Sequence, residues 1–164
     1  MSALLALLSR DRLTSRDLDD LHAQFHTRPD LISDLIAALD QLDADIAYRA
    51  MTLLLKIARS SLLSARDFTR IADRLDASDH WIYRLTACQL LAAQPIPHDL
   101  GGDVFPFLQR CLTDRRVIIR AWALTAMLPF RRDPRFRPAV AAALRLARRD
   151  PAKSMQARLR QILP

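Results

Sequence analysis

The sequence predicts an all-α fold, an α-solenoid of about five antiparallel helical hairpins stacked in a single domain over 1–164. Three observations carry this expectation. Ala and Leu dominate while only two residues are Gly. Val is scarce, so strand-forming runs are nearly absent. A short arginine-centred pattern also returns every 35 or 36 residues, as expected of helix pairs that bury their apolar faces only against neighbouring pairs.

Residues 1–29 read as N-terminal capping helices, one over Ser2–Ser9 and one over Ser15–Thr27 with Leu18, Leu21 and Phe25 along one face. Thr14 opens the pattern T-x-x-D and Ser64 the pattern S-x-x-D; each offers a side-chain oxygen to a helix N-terminus with an acid in the first turn. Pro29 restarts the chain. Hairpins are then predicted over 30–60, 64–93, 102–130 and 134–164. Their turns fall near Asp43–Asp45, Asp79 and Thr113–Arg116, and at Asp150-Pro151. The polar stretch QPIPHDLGG (94–102) reads as a loop. Asp133-Pro134 and Asp150-Pro151 each place an N-cap before a first-turn proline. Ten helices result.

Aligning the second helix of each hairpin places Arg49, Arg84, Arg120 and Gln156 at one position, 35, 36 and 36 residues apart. Around it, Ile46, Trp81 and Val117 lie three before; Ala50, Leu85 and Ala121 one after; Leu53, Cys88 and Leu124 four after; and Ile57, Ala92 and Leu128 eight after. These offsets define one helix face, the expected core stripe, which includes Trp81. Trp122, two past its arginine, lies off the stripe and is the aromatic expected on a concave face.

The unit VFPFL (104–108), LTD (112–114) and IRA (119–121) resembles the HEAT-repeat family, with weaker copies at DIAYRA (45–50) and DHWIYR (79–84). The last unit departs from the pattern in having Gln156. The resemblance spans roughly residues 30–164. It implies a ladder between Arg49, Arg84, Arg120 and the turn aspartates Asp45, Asp79 and Asp114. The arginines lie in otherwise apolar helices, where an unpaired buried charge would cost several kcal/mol, about the scale at which a partner becomes obligatory.

Charge is uneven. Residues 1–80 carry ten basic and thirteen acidic residues, net −3; residues 81–164 carry fifteen and five, net +10. Nearly all the basic residues are Arg, a bias that genomic composition alone also produces. Arg115 and Arg116 fall in the third hairpin's turn and Arg148 and Arg149 in or just before the fourth's, and these four are expected to form a basic ridge; Arg131, Arg132, Arg135 and Arg137 fall at the opposite edge. Guanidinium forks beside helix N-termini favour phosphate or carboxylate.

Cys88 and Cys111 read as small buried hydrophobes, with a disulfide or metal pair as the alternative. His22 and His26 are four apart on one face, but HAQFH lacks the acid of a metalloprotease motif, and His80 and His98 stand alone. No metal, cofactor or catalytic set is therefore expected. The opening MSALLALLSR has no basic residue before its apolar run, so neither a secretory signal nor a membrane span is expected, and the cytoplasm is the expected location.

The family resemblance implies a non-catalytic scaffold or adaptor that holds a protein partner on its concave face and basic C-terminal edge; the basic residues make that partner an acidic one. The arginines leave sequence-independent binding of DNA or RNA phosphates as the alternative. Some HEAT-like proteins are DNA glycosylases that use groove aromatics and an acid, and Trp122 with a neighbouring Asp is the one echo of them here.

Overall fold

The computed structural model describes residues 3–163. Positions 1, 2 and 164, at the outer ends of the predicted first helix and last hairpin, lie outside the described residues. Among the described residues the regular structure is entirely helical, in ten α-helices without a strand. They are α1 (Ala3–Leu8), α2 (Ser15–Phe25), α3 (Leu31–Ala38), α4 (Ala44–Ser60), α5 (Ala65–Ala72), α6 (Trp81–Ala93), α7 (Gly101–Cys111), α8 (Val117–Met127), α9 (Arg137–Arg149) and α10 (Lys153–Ile162). No helix among them is long and apolar enough to cross a membrane.

Two helix starts follow directly from side-chain chemistry. The Thr14 hydroxyl accepts the Asp17 N–H while the Asp17 carboxylate accepts the Thr14 N–H at 2.7 Å, a reciprocal capping box that satisfies two otherwise orphaned donors. Ser64 accepts the Asp67 N–H at 3.1 Å in the same way at the start of α5.

The core runs between two sets of helices. Helices α4, α6, α8 and α10 form a row in which each packs on the next, while α3, α7 and α9 lie against α4, α8 and α10 respectively. Buried positions of the first helices recur at a spacing of 36 residues: Leu35, Ile71, Phe107 and Ala143 form one line, and Leu39, Leu75, Cys111 and Ala147 a second. Helices α1 and α2 cover α4 at the N-terminal end. The fully buried Tyr83 of α6 donates its hydroxyl to the Arg74 carbonyl, tying α6 to the segment after α5.

Three expectations need correction. Trp81 is not in the core: it is 38% exposed, because it is the first residue of α6 and emerges where the apolar face ends. The stretch 94–102 is not simply loop; Gln94 is buried, His98–Leu100 forms a 3-10 turn, and α7 already begins at Gly101. Gln94 accepts the Leu63 N–H and donates to the Ala58 and Ser61 carbonyls, clamping two chain segments with one amide. Helix α9 begins at Arg137 rather than at Pro134, since Asp133 closes a turn onto the Arg135 N–H and Phe136 swings inward. There Phe136 meets Phe105 and Phe130, with ring centroids 4.5 to 5.3 Å apart.

Gly101 sits against this aromatic trio. A Cβ at Gly101 would meet Phe136 at 3.0 Å and Phe130 at 3.2 Å, whereas one at Gly102 would meet nothing within 4 Å. Gly101→Ala should therefore destabilise the fold by about 1 kcal/mol or more through overpacking. Gly102→Ala should stabilise it by up to about 1 kcal/mol through helix propensity. Chemical denaturation of the two variants checks both signs; equal effects would contradict the close packing.

A candidate anion-binding edge

The recurring arginines occupy the N-terminal thirds of α4, α6 and α8, and each reaches beyond its own hairpin. Arg49, with its side chain almost wholly buried, donates to the Leu8 carbonyl at 2.7 Å, to the Arg10 carbonyl at 2.9 Å and to Asp45 at 3.3 Å. Its Nε is buried without an acceptor among the described residues. Arg84 bridges Asp79 and, at 3.3 Å, Asp114 of the following hairpin. Arg120 donates to the Asp114 and Arg115 carbonyls and, at 2.8 Å, to Asp150. Gln156 fills the same place in α10 but reaches only carbonyls, including that of Asp150 at 2.7 Å.

The aspartates expected to partner these arginines are not equivalent to one another. Asp45, Asp79 and Asp114 precede their arginines by four, five and six residues. The position that does repeat is six before: Asp43, Ser78, Asp114 and Asp150. Each of these accepts the backbone N–H two residues on, closing the turn that launches the second helix. Asp114 and Asp150 thus cap their own turns and receive the arginine of the preceding hairpin. Ser78 carries no charge to receive Arg49, which turns back to the N-terminal segment instead. Paired in this way, the Asp150 carboxyl is held below its ordinary pKa, first by the Arg120 hydrogen bond and then by the Ala152 N–H. Arg84 is raised above its usual value chiefly by Asp79.

A second row of ion pairs escaped the sequence analysis. Arg74 grips Asp40 through two bonds of 2.8 and 2.9 Å, and Arg110 pairs with Asp76. Both members of the pair advance by 36 residues, and that recurrence is the signal that would have found it.

Arg120 also brings the basic turns together. It holds the carbonyl of Arg115 and the carboxylate of Asp150, so the turn bearing exposed Arg115 and Arg116 adjoins the C-terminal end of α9, which carries exposed Arg148 and Arg149. Exposed Arg131, Arg132, Arg135 and Arg137 lie beyond the far end of α8, about 16 Å away at 1.5 Å per residue. Of these, Arg135 pairs with Asp133 at 2.6 Å and pulls that carboxyl down to about 2.

The two tryptophans each carry an arginine. Arg116 lies over Trp81 at 5.1 Å, and Trp81 continues through His80 to Tyr48 in a run of stacked rings. Trp122 is half-buried, with Arg158 of α10 over its ring at 3.8 Å. Cys88 and Cys111 are buried free thiols. Burial pushes the Cys88 thiol well up, as does its contact with Cys111. His22 and His26 have ring centroids 6.2 Å apart, and no three potential ligands cluster among the described residues.

The electrostatic outcome is one-sided. After Asp103 the sequence holds fourteen basic residues against three acidic ones, a net of +11. Each of those acids is already engaged, Asp114 by Arg84, Asp150 by Arg120 and Asp133 by Arg135. Arg115, Arg116, Arg131, Arg132, Arg137, Arg148 and Arg149 therefore have no carboxylate among the described residues, and all are exposed.

Asp150→Asn keeps the oxygen that accepts the Ala152 N–H but removes the charge facing Arg120. Because the folded-state pKa of Asp150 is depressed, its ion pair contributes stability above the ordinary carboxylate range near pH 4 and loses it as pH falls through the lowered pKa. The variant should melt below the parent chain at neutral pH, and the gap should close in acid. A gap constant with pH would contradict the pairing.

Comparison of the chain with protein-family models, with curated proteins and with solved structures returns no match.

Proposed function

We propose that this chain is a non-catalytic, HEAT-like α-solenoid, a cytoplasmic scaffold that holds an acidic protein partner on its C-terminal arginine edge. The repeat of 35 to 36 residues, the row of α4, α6, α8 and α10, and arginines that reach from one hairpin to the next all support the architecture. One observation carries the partner's chemistry: every carboxylate after Asp103 is spent on an internal arginine, leaving an exposed guanidinium surface with nothing of its own to neutralise it. Such a surface steers and orients anionic partners. Trp81, 38% exposed beneath Arg116, adds the aromatic contact area that protein interfaces use.

Sequence-independent binding of nucleic-acid phosphates is the second reading, favoured by unpaired arginines at both ends of α8.

Fluorescence anisotropy with an acidic peptide and with random duplex DNA, at about 50 and 200 mM salt, separates the two. The scaffold role predicts peptide binding that the quadruple change Arg115→Glu, Arg116→Glu, Arg148→Glu and Arg149→Glu abolishes. Tight, steeply salt-dependent DNA binding without peptide binding would select the second reading, and a chain that binds neither probe at the lower salt contradicts both.

A further inference from the structure

The second row of ion pairs stops inside the third and fourth hairpins, and what replaces it is specific. The acidic position of the row runs Asp40, Asp76 and then, 36 residues on, Leu112. The basic position runs Arg74, Arg110 and then, 36 residues on, Leu146. Both members of one charged pair have thus become leucine together. Stability does not account for the exchange. An exposed ion pair contributes little to folding, and Leu146 stays 69% exposed, so the fold gains little from burying it.

A cleft also lies one unit earlier, lined by Asp76, Arg110 and Phe107; the exchange turns its counterpart into a smaller one of about 90 Å³, walled by Leu112, Ala143, Leu146, Ala147 and Met155. Ala143, Ala147 and Met155 form a buried floor, Leu112 is half-buried, and Leu146 stands at the rim. The Arg120–Asp150 pair closes one side. Exposed arginines adjoin the lining residues in the chain. Arg149 lies three residues past Leu146 on the same face of α9, Arg148 follows Ala147, and Arg115 lies in the turn that follows Leu112. None of these three arginines has a carboxylate partner among the described residues.

Resting on the scaffold role above, we propose that this cleft is the docking site for an acidic peptide segment bearing one apolar anchor, a leucine-like or phenylalanine-like side chain flanked by Asp or Glu. The apolar floor takes the anchor and the arginine rim takes the flanking carboxylates, in bidentate geometry where the fork allows. A phosphate backbone is poorly served by this arrangement, since it would gain from an arginine at 146 and gains nothing from leucine. Loss of charge at the centre of a basic surface marks recognition of a mixed apolar and acidic ligand.

The test is selection of a random display library of short peptides against the whole chain, followed by affinities of the enriched peptides for two variants. Leu146→Ala removes the rim of the cleft without altering charge. Leu112→Asp with Leu146→Arg rebuilds the ion pair found at Asp76 and Arg110, so the fold should persist, as an unchanged melting curve would show. Enriched peptides should share an apolar residue between acids, lose severalfold affinity for Leu146→Ala, and lose about tenfold or more for the rebuilt pair. Acidic peptides that bind both variants as well as the parent would overturn the cleft while leaving the scaffold role standing. Failure to enrich any acidic peptide would overturn both.

Discussion

A guanidinium placed near the start of an apolar helix has to find acceptors, and where it finds them fixes the distance between hairpins. Arg84 and Arg120 find them in the turn of the following hairpin, at Asp114 and Asp150. Those carboxylates already hold their own turns closed through a backbone N–H. One aspartate therefore shapes the turn that starts its helix and accepts the helix before it. Apolar burial supplies most of the driving force for packing α6, α8 and α10 in a row, but it is non-directional. The arginines supply the register. Arg49 obeys the same demand with different partners: with serine at the equivalent turn position, it closes on the end of α1 and so attaches the N-terminal helices to the rest.

The same interaction organises the surface. Because Arg120 holds both the Arg115 carbonyl and Asp150, the turn carrying Arg115 and Arg116 and the end of α9 carrying Arg148 and Arg149 are kept side by side despite their like charge. Repulsion among exposed arginines is screened by solvent and salt, so the fold tolerates it. Internal pairing engages the three aspartates after Asp103 and leaves the excess positive charge outward. Along the neighbouring edge, two leucines stand where the preceding units have an Asp–Arg pair.

Much of the helical layout was legible in the sequence, because capping and periodicity act locally. Thr14 with Asp17 and Ser64 with Asp67 mark helix starts through hydrogen bonds spanning three residues. What escaped depends on contacts distant in sequence or on where a helix ends. Trp81 shares the spacing of core residues but sits at the first position of α6, and periodicity alone does not say where a buried face stops. Asp133-Pro134 has the chemistry of a helix start, yet the aromatic trio pulls Phe136 inward and delays α9 by three residues. For the candidate site, the arginines of the turns were readable by position, but the role of Asp150 was not. Its proline neighbour suggested only a cap, and its contact with Arg120 spans 30 residues. The leucine cleft was invisible without the row of ion pairs that it interrupts.

Arginine–aspartate contacts couple one hairpin to the next. The direct measurement is a double-mutant cycle on Arg84 and Asp114, whose carboxylate side chain is only 6% exposed, using Arg84→Met and Asp114→Asn with unfolding free energies from chemical denaturation. A coupling energy of about 1 to 3 kcal/mol is the predicted result. Effects that add to within about 0.5 kcal/mol would show the hairpins held by apolar packing alone and would contradict the account.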